Sequence, residues 1–154
     1  MKKVLIALDY APSAQKVAEL GYALGHDINA NITLLHVIED AGYYSSFVYD
    51  PIMGFGGFNN AILLSTDILQ SIETYAKQFL TKAKLHLLDE KIQTSVLHGN
   101  IADSILEKSA NEHFDLIVLG RNSRSGIEEF FLGSTAHKLI KHSTVPIYII
   151  PTKS

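Results

Sequence analysis

Short apolar runs alternate with stretches of helical periodicity from one end of the chain to the other. Val4-Leu5-Ile6-Ala7-Leu8 is apolar at every position and is closed by Asp9, the pattern of a strand buried on both faces of a parallel sheet. Behind it Ala14, Val17, Ala18, Gly21 and Leu24 recur at helical spacing, with Pro12 where a first turn tolerates it and Gly25 where a helix is expected to stop. Ile32-Thr33-Leu34-Leu35-His36-Val37-Ile38 predicts a second strand. A long helix then places Leu69, Ile72, Ala76, Phe79, Leu80, Ala83 and Leu87 on one stripe, with Glu73, Lys77, Lys82 and Lys84 off it, and is expected to end near Lys91. Thr94-Ser95-Val96-Leu97 is a weaker third strand closed by His98-Gly99, after which Asn100 is suited to cap a helix carrying Ala102, Ile105, Leu106 and Ser109. Asp115-Leu116-Ile117-Val118-Leu119 predicts a fourth strand, and residues 145–150 a fifth, bracketed by Pro146 and Pro151 as suits an edge.

Strands alternating with helices predict an α/β fold with a mainly parallel sheet and right-handed crossovers. Such folds bind ligands beyond the carboxyl ends of their strands, at a topological switch point. Asp9, Val37, Gly99 and Gly120 all fall at such ends. The fourth strand runs into Gly120-Arg121-Asn122-Ser123-Arg124-Ser125-Gly126, and Gly133-Ser134-Thr135 then precedes a helical pattern at Ala136, Leu139 and Ile140. Backbone N–H groups, hydroxyls and the positive end of a helix dipole in one place suit an anion such as phosphate. Spacing alone serves equally an ordinary strand-to-helix connection that uses glycine for turning.

Composition narrows the classes. A chain of 154 residues, 47% of them hydrophobic, is expected to be one domain with a sizeable core. The net charge of −3 without a basic run argues against a nucleic-acid surface. There is no cysteine, which removes disulfides and thiolate metal sites and fits a reducing compartment. Lys2-Lys3 and the apolar run behind it imitate the start of a signal peptide, but Asp9 interrupts that run early. No apolar stretch approaches a membrane span, so a soluble, cytoplasmic protein without membrane or nucleic-acid partners is expected.

Residues 41–60 break the rhythm. Tyr43, Tyr44, Phe47, Tyr49, Phe55 and Phe58 are interleaved with Gly42, Gly54, Gly56 and Gly57, too aromatic for a solvated linker and too glycine-rich for a helix. The stretch reads as an excursion packed on its own domain, as a lid over a ligand, or as a contact for a protein partner at residues 43–58. Gly54-Phe55-Gly56-Gly57-Phe58-Asn59 begins like a dinucleotide fingerprint but ends on asparagine and follows no strand. The seven histidines show no metal-ligand spacing. His36 and His98 lie at strand ends, where they either line a pocket or are bonded neighbours. Ser134 has no sequence cue for an activating base.

Taken together, Val4-Leu5-Ile6-Ala7-Leu8-Asp9, Leu35-His36-Val37, Val96-Leu97-His98-Gly99 and the fourth strand with Gly120 resemble the universal stress proteins over essentially the whole chain, 1–154. Nucleotide-binding members of that family carry Gly-x2-Gly-x9-Gly-Ser/Thr, and Gly120, Ser123, Gly133 and Ser134 occupy those places here, serine replacing the second glycine. The resemblance implies a three-layer domain whose five-stranded parallel sheet has the order 3-2-1-4-5, with helices on both faces. It implies ATP, accompanied by Mg or Mn, at the junction of the first and fourth strands. Ala7, Leu8, Asp9, Val37 and Gly99 would serve the adenosine side, and Gly120, Arg121, Asn122, Ser123, Arg124, Ser125, Gly126, Gly133, Ser134, Thr135 and Ala136 the phosphates. It also implies a homodimer through the final strand, with Val145 at its start and Ile150 at its end.

Two functional classes follow. One is a stress-response regulatory protein that binds ATP or a related adenine nucleotide and is not an enzyme, hydrolysis being slow at most for want of an evident general base. The other is a dimeric interaction module that acts through its aromatic loop without a nucleotide.

Overall fold

The computed structural model describes residues 1–39, 68–121 and 132–152. Five strands and four helices alternate along these segments: β1 (Lys3–Ala7), α1 (Ala14–Asp27), β2 (Asn31–Ile38), α2 (Ile68–His86), β3 (Gln93–His98), α3 (Ile101–Asn111), β4 (Leu116–Gly120), α4 (Ser134–His142) and β5 (Ile147–Ile150). All four strand pairings are parallel, and the sheet order is β3-β2-β1-β4-β5. The α/β architecture and the strand order are those expected.

The period of two along the strands divides the core between the faces of the sheet. Val4, Ile6, Leu8, Leu34 and Val118 pack with Ala14, Val17 and Ala18 of α1 and Tyr75, Phe79, Leu80 and Ala83 of α2. Leu5, Leu35, Val37, Ile117 and Leu119 pack with Ala102 and Ile105 of α3 and Ala136 and Leu139 of α4. The central strands are therefore covered on both faces, as their predominantly apolar sequences require. Both edge strands are more polar or more exposed than the centre.

Several boundaries move from their sequence-based positions. Gly25 does not stop α1, which continues to Asp27 and ends where Asn29 takes a left-handed φ of 53°. Gly25 instead lies where a β-carbon would come within 2.8 Å of Ile32 Cδ1, so its small size lets the helix approach β2. The α2 helix ends at His86 rather than near Lys91. Leu88 turns to a φ of 54°, and Asp89 Oδ1 accepts the Lys91 amide in the turn that follows. The β5 strand begins at Ile147, although the Pro146 carbonyl already accepts the Ile117 amide at 3.0 Å. Asn100 caps α3 as expected, its side-chain oxygen accepting from the Asp103 amide at 3.1 Å.

Candidate functional site

The centre of the sheet opens at its carboxyl end. The β1–β4 ladder stops at Ile6 opposite Val118, whereas β1 continues against β2 to Ala7 opposite Leu35 and the Leu8 amide still donates to the Leu35 carbonyl at 2.8 Å. On the other side β4 continues against β5 to Gly120 opposite Ile150, and the Arg121 amide donates to the Ile150 carbonyl at 2.8 Å. Beyond Ile6 and Val118 the two central strands thus pair outward and no longer with each other. The result is a crevice between Ala7-Leu8-Asp9 and Leu119-Gly120-Arg121, at the point where strand order reverses.

The N-terminus of α4 is tied to the same place. The Gly133 amide donates to the Arg121 carbonyl at 3.3 Å, and the first bond within the helix runs from the His137 amide to the Gly133 carbonyl. Gly133 caps the helix without a side-chain bond, and the first turn carries no acidic residue. Among the described residues the amides of Ser134, Thr135 and Ala136 have no hydrogen-bond acceptor, so the positive end of the dipole lies uncompensated beside the crevice. The Ala136 methyl is buried in the core, while Ser134 is exposed.

The glycines of this region serve different ends. A β-carbon on Gly120 would lie 2.9 Å from Thr152 Cγ2 and 3.0 Å from Val17 Cγ2, so packing under α1 accounts for that glycine. Gly133 has an ordinary φ of −53°, and a β-carbon there would meet nothing nearer than the Arg121 oxygen at 3.6 Å. Neither backbone conformation nor packing among the described residues calls for glycine at 133. Gly99 has a φ of 130°, which favours glycine strongly, and it directly follows β3, separated from β1 by β2.

Asp9 lies two residues beyond β1 and is partly buried, one carboxylate oxygen accepting the Ala11 amide at 3.1 Å. Ala7 and Val37 contribute side chains to the core under α3 and α4, which leaves their backbone at the strand ends. The structure therefore brings Ala7, Leu8, Asp9, Gly120, Arg121, Gly133 and Ser134 to one crevice, with Val37 on the adjacent strand. Asn122, Ser123, Arg124, Ser125 and Gly126 lie outside the described residues, as does the aromatic stretch 41–60.

Of the strand-end histidines, His98 is exposed and stands 3.6 Å from Glu73. His36 is buried, and its Nδ1 lies 2.8 Å from the Leu8 carbonyl. A carbonyl only accepts, so Nδ1 carries the hydrogen. Burial pushes the imidazole down to about 4, with the bond to Leu8 opposing, so the ring is neutral at physiological pH. Tyr10, on the far side of Asp9, stacks on His36 with ring centroids 4.2 Å apart. Sequence reading passed over Tyr10. The available signal was a polar ring inside the mostly apolar β2, which calls for a buried partner.

The universal stress protein family model matches residues 1–151. The chain belongs to the universal stress protein family. Universal stress protein MJ0577 from Methanocaldococcus jannaschii is 22% identical over 156 residues, covering 99% of this chain and 96% of the relative. Universal stress protein Sll1388 from Synechocystis is 26% identical over 154 residues, with 96% of each chain covered. Among solved structures, UspA from Lactobacillus plantarum superposes with a TM-score of 0.72 at 18% identity, over 97% of both chains. An Arabidopsis thaliana member solved with AMP bound has a TM-score of 0.62 at 14% identity, covering 100% of this chain and 94% of its own. A universal stress protein in complex with cAMP has a TM-score of 0.63 at 16% identity, covering 99% and 98%. At these identities the likeness is one of fold.

Proposed function

We propose that this universal stress protein is a stress-response regulatory protein that binds an adenine nucleotide, ATP in the first instance, in the crevice between β1 and β4. One observation carries the reading: the strands diverge beside the part of the described α4 whose amides lack acceptors, and that helix start follows Gly133, where glycine is not required by the described fold. Helix-start amides and the hydroxyls of Ser134 and Thr135 suit phosphate oxygens. The Asp9 carboxylate suits ribose hydroxyls, and the strand-end backbone at Ala7 and Val37 suits an adenine edge. The AMP-bound and cAMP-bound family members support adenine as the base.

No group of three or more metal-ligating side chains occurs among the described residues. A Mg or Mn ion would accompany the nucleotide and neutralise phosphate charge, with the Asp9 carboxylate and the Ser134 and Thr135 hydroxyls as the protein donors offered at the crevice. The role is binding rather than turnover. Among the described residues no helix is long and apolar enough to cross a membrane, and the proposed setting is the cytoplasm.

A homodimer through β5 belongs to the same proposal. Among the described residues β5 pairs on one side only, and Tyr148 is 45% exposed at that edge. A partner's strand would cover an edge that otherwise invites uncontrolled pairing. An interaction module without a nucleotide keeps this surface and discards the crevice. The two readings separate on purification: heat-denatured protein should release adenine nucleotide, and stripped protein should take up ATP, AMP or cAMP in a competition series. Protein that releases none and binds none at millimolar concentration would leave the interaction module as the function.

A further inference from the structure

Leu8 and Tyr10, the residues on either side of Asp9, are both held by the same side chain. His36 Nδ1–H donates to the Leu8 carbonyl at 2.8 Å, and the His36 ring stacks on Tyr10 at 4.2 Å with the planes 28° apart. Tyr10 is fixed in turn by α2, edge-on to Tyr75 at 5.3 Å and to Phe79 at 4.9 Å. Leu8 and Tyr10 both join the core under α1 and α2. Asp9 lies between these two anchors, so fixing Leu8 and Tyr10 fixes the backbone from which its carboxylate projects. On the opposite face of the sheet Ala7 and Val37 pack in one cluster with Ala102 and Ile105 of α3 and Ala136 of α4.

We infer that His36 is the positioning residue of Asp9: its bond to the Leu8 carbonyl, rather than the bulk of its ring, holds the β1–α1 turn so that the carboxylate faces the crevice. The inference deepens the nucleotide reading and rests on it for its consequence in binding. Its geometric half concerns the turn alone. A neutral imidazole suits the task, because a charged ring at this buried position would bring a desolvation penalty to the turn it supports. Asparagine at 36 keeps an N–H donor close to the Nδ1 position without the aromatic ring. Phenylalanine keeps the ring and the stack on Tyr10 without the donor.

Hydrogen exchange of the Ala11 amide, which donates to Asp9, reads the turn with no ligand present. In His36→Phe this amide should exchange about tenfold faster, and in His36→Asn at close to the parent rate. ATP affinity measured by calorimetry should fall roughly tenfold in His36→Phe and stay within about twofold in His36→Asn. Combined with Asp9→Ala, His36→Phe should weaken ATP binding no further, since residues acting through one group are not additive. Unchanged Ala11 exchange in His36→Phe overturns the inference, as does equal loss in the Asn and Phe variants or additivity with Asp9→Ala. Parent protein that binds no adenine nucleotide overturns the functional reading instead, and Ala11 exchange alone then decides the role of His36.

Discussion

Gly120 and Gly133 carry the same letter in the same motif, yet only one of them is called for by the fold. Gly120→Ala places a methyl against Val17, which is buried and stiff at χ1 inside α1, so the change should destabilise the protein by about 1–3 kcal/mol in urea unfolding, with Val17→Ala recovering part of the loss. Asp9→Ala should lower unfolding stability by about 1 kcal/mol through loss of the bond from the Ala11 amide, and weaken ATP several-fold, on the order of 1 kcal/mol for one ribose hydrogen bond, as read by calorimetry. His36 links stability to pH. Its folded value is depressed from 6.5 to about 4, so the unfolded chain takes up the proton first as pH falls. Stability is therefore full above about pH 6.5 and is lost progressively towards pH 4, by on the order of 3 kcal/mol from this group. Urea midpoints of the parent and of His36→Asn should diverge at neutral pH and converge in acid, and parallel curves would contradict the assignment. The place of Asp9 beyond the end of β1 was legible in the sequence because a carboxylate closing an apolar run is a local pattern. The duty of Gly120 was not, because Val17 and Thr152 reach it only in the folded chain.

Among the elements, α4 has the most to say about function. Its last turn carries Lys141 and His142, which complement the dipole, while its first turn has no acid and no side-chain cap. A helix built for stability alone would place aspartate or glutamate there. Ser134→Asp should raise unfolding stability by about 0.3–1 kcal/mol through the dipole and at the same time repel phosphate, so a thermal melt and an ATP titration should move in opposite directions. If both rise together, the N-terminus of α4 does not face the nucleotide. The existence and type of every described element followed from periodicity, since alternating two-sided apolar runs and helical stripes are local signals. Their ends did not, because Gly25 looks like a helix stop until Ile32 is seen packed against it.

At the scale of the whole molecule, the order β3-β2-β1-β4-β5 puts the first and fourth strands side by side and so creates the crevice. Hydrophobic pattern predicted a parallel sheet but not that order, which came from resemblance to the family, because strand neighbours are a long-range property. The exposed Tyr148 on β5 sets an expectation for assembly: sedimentation should show a dimer at micromolar concentration, and Tyr148→Pro should dissociate it if ladder bonds hold the interface. A parent monomer would remove β5 as the contact. The central claim is that the diverging strands and the bare start of α4 form a nucleotide site, and Gly133→Ala tests it most directly because the described fold has room for the added methyl. In a calorimetric titration with ATP and magnesium, the variant should melt with the parent yet bind roughly tenfold more weakly. Equal affinity in the two proteins, or no binding by the parent at millimolar ATP, would contradict it.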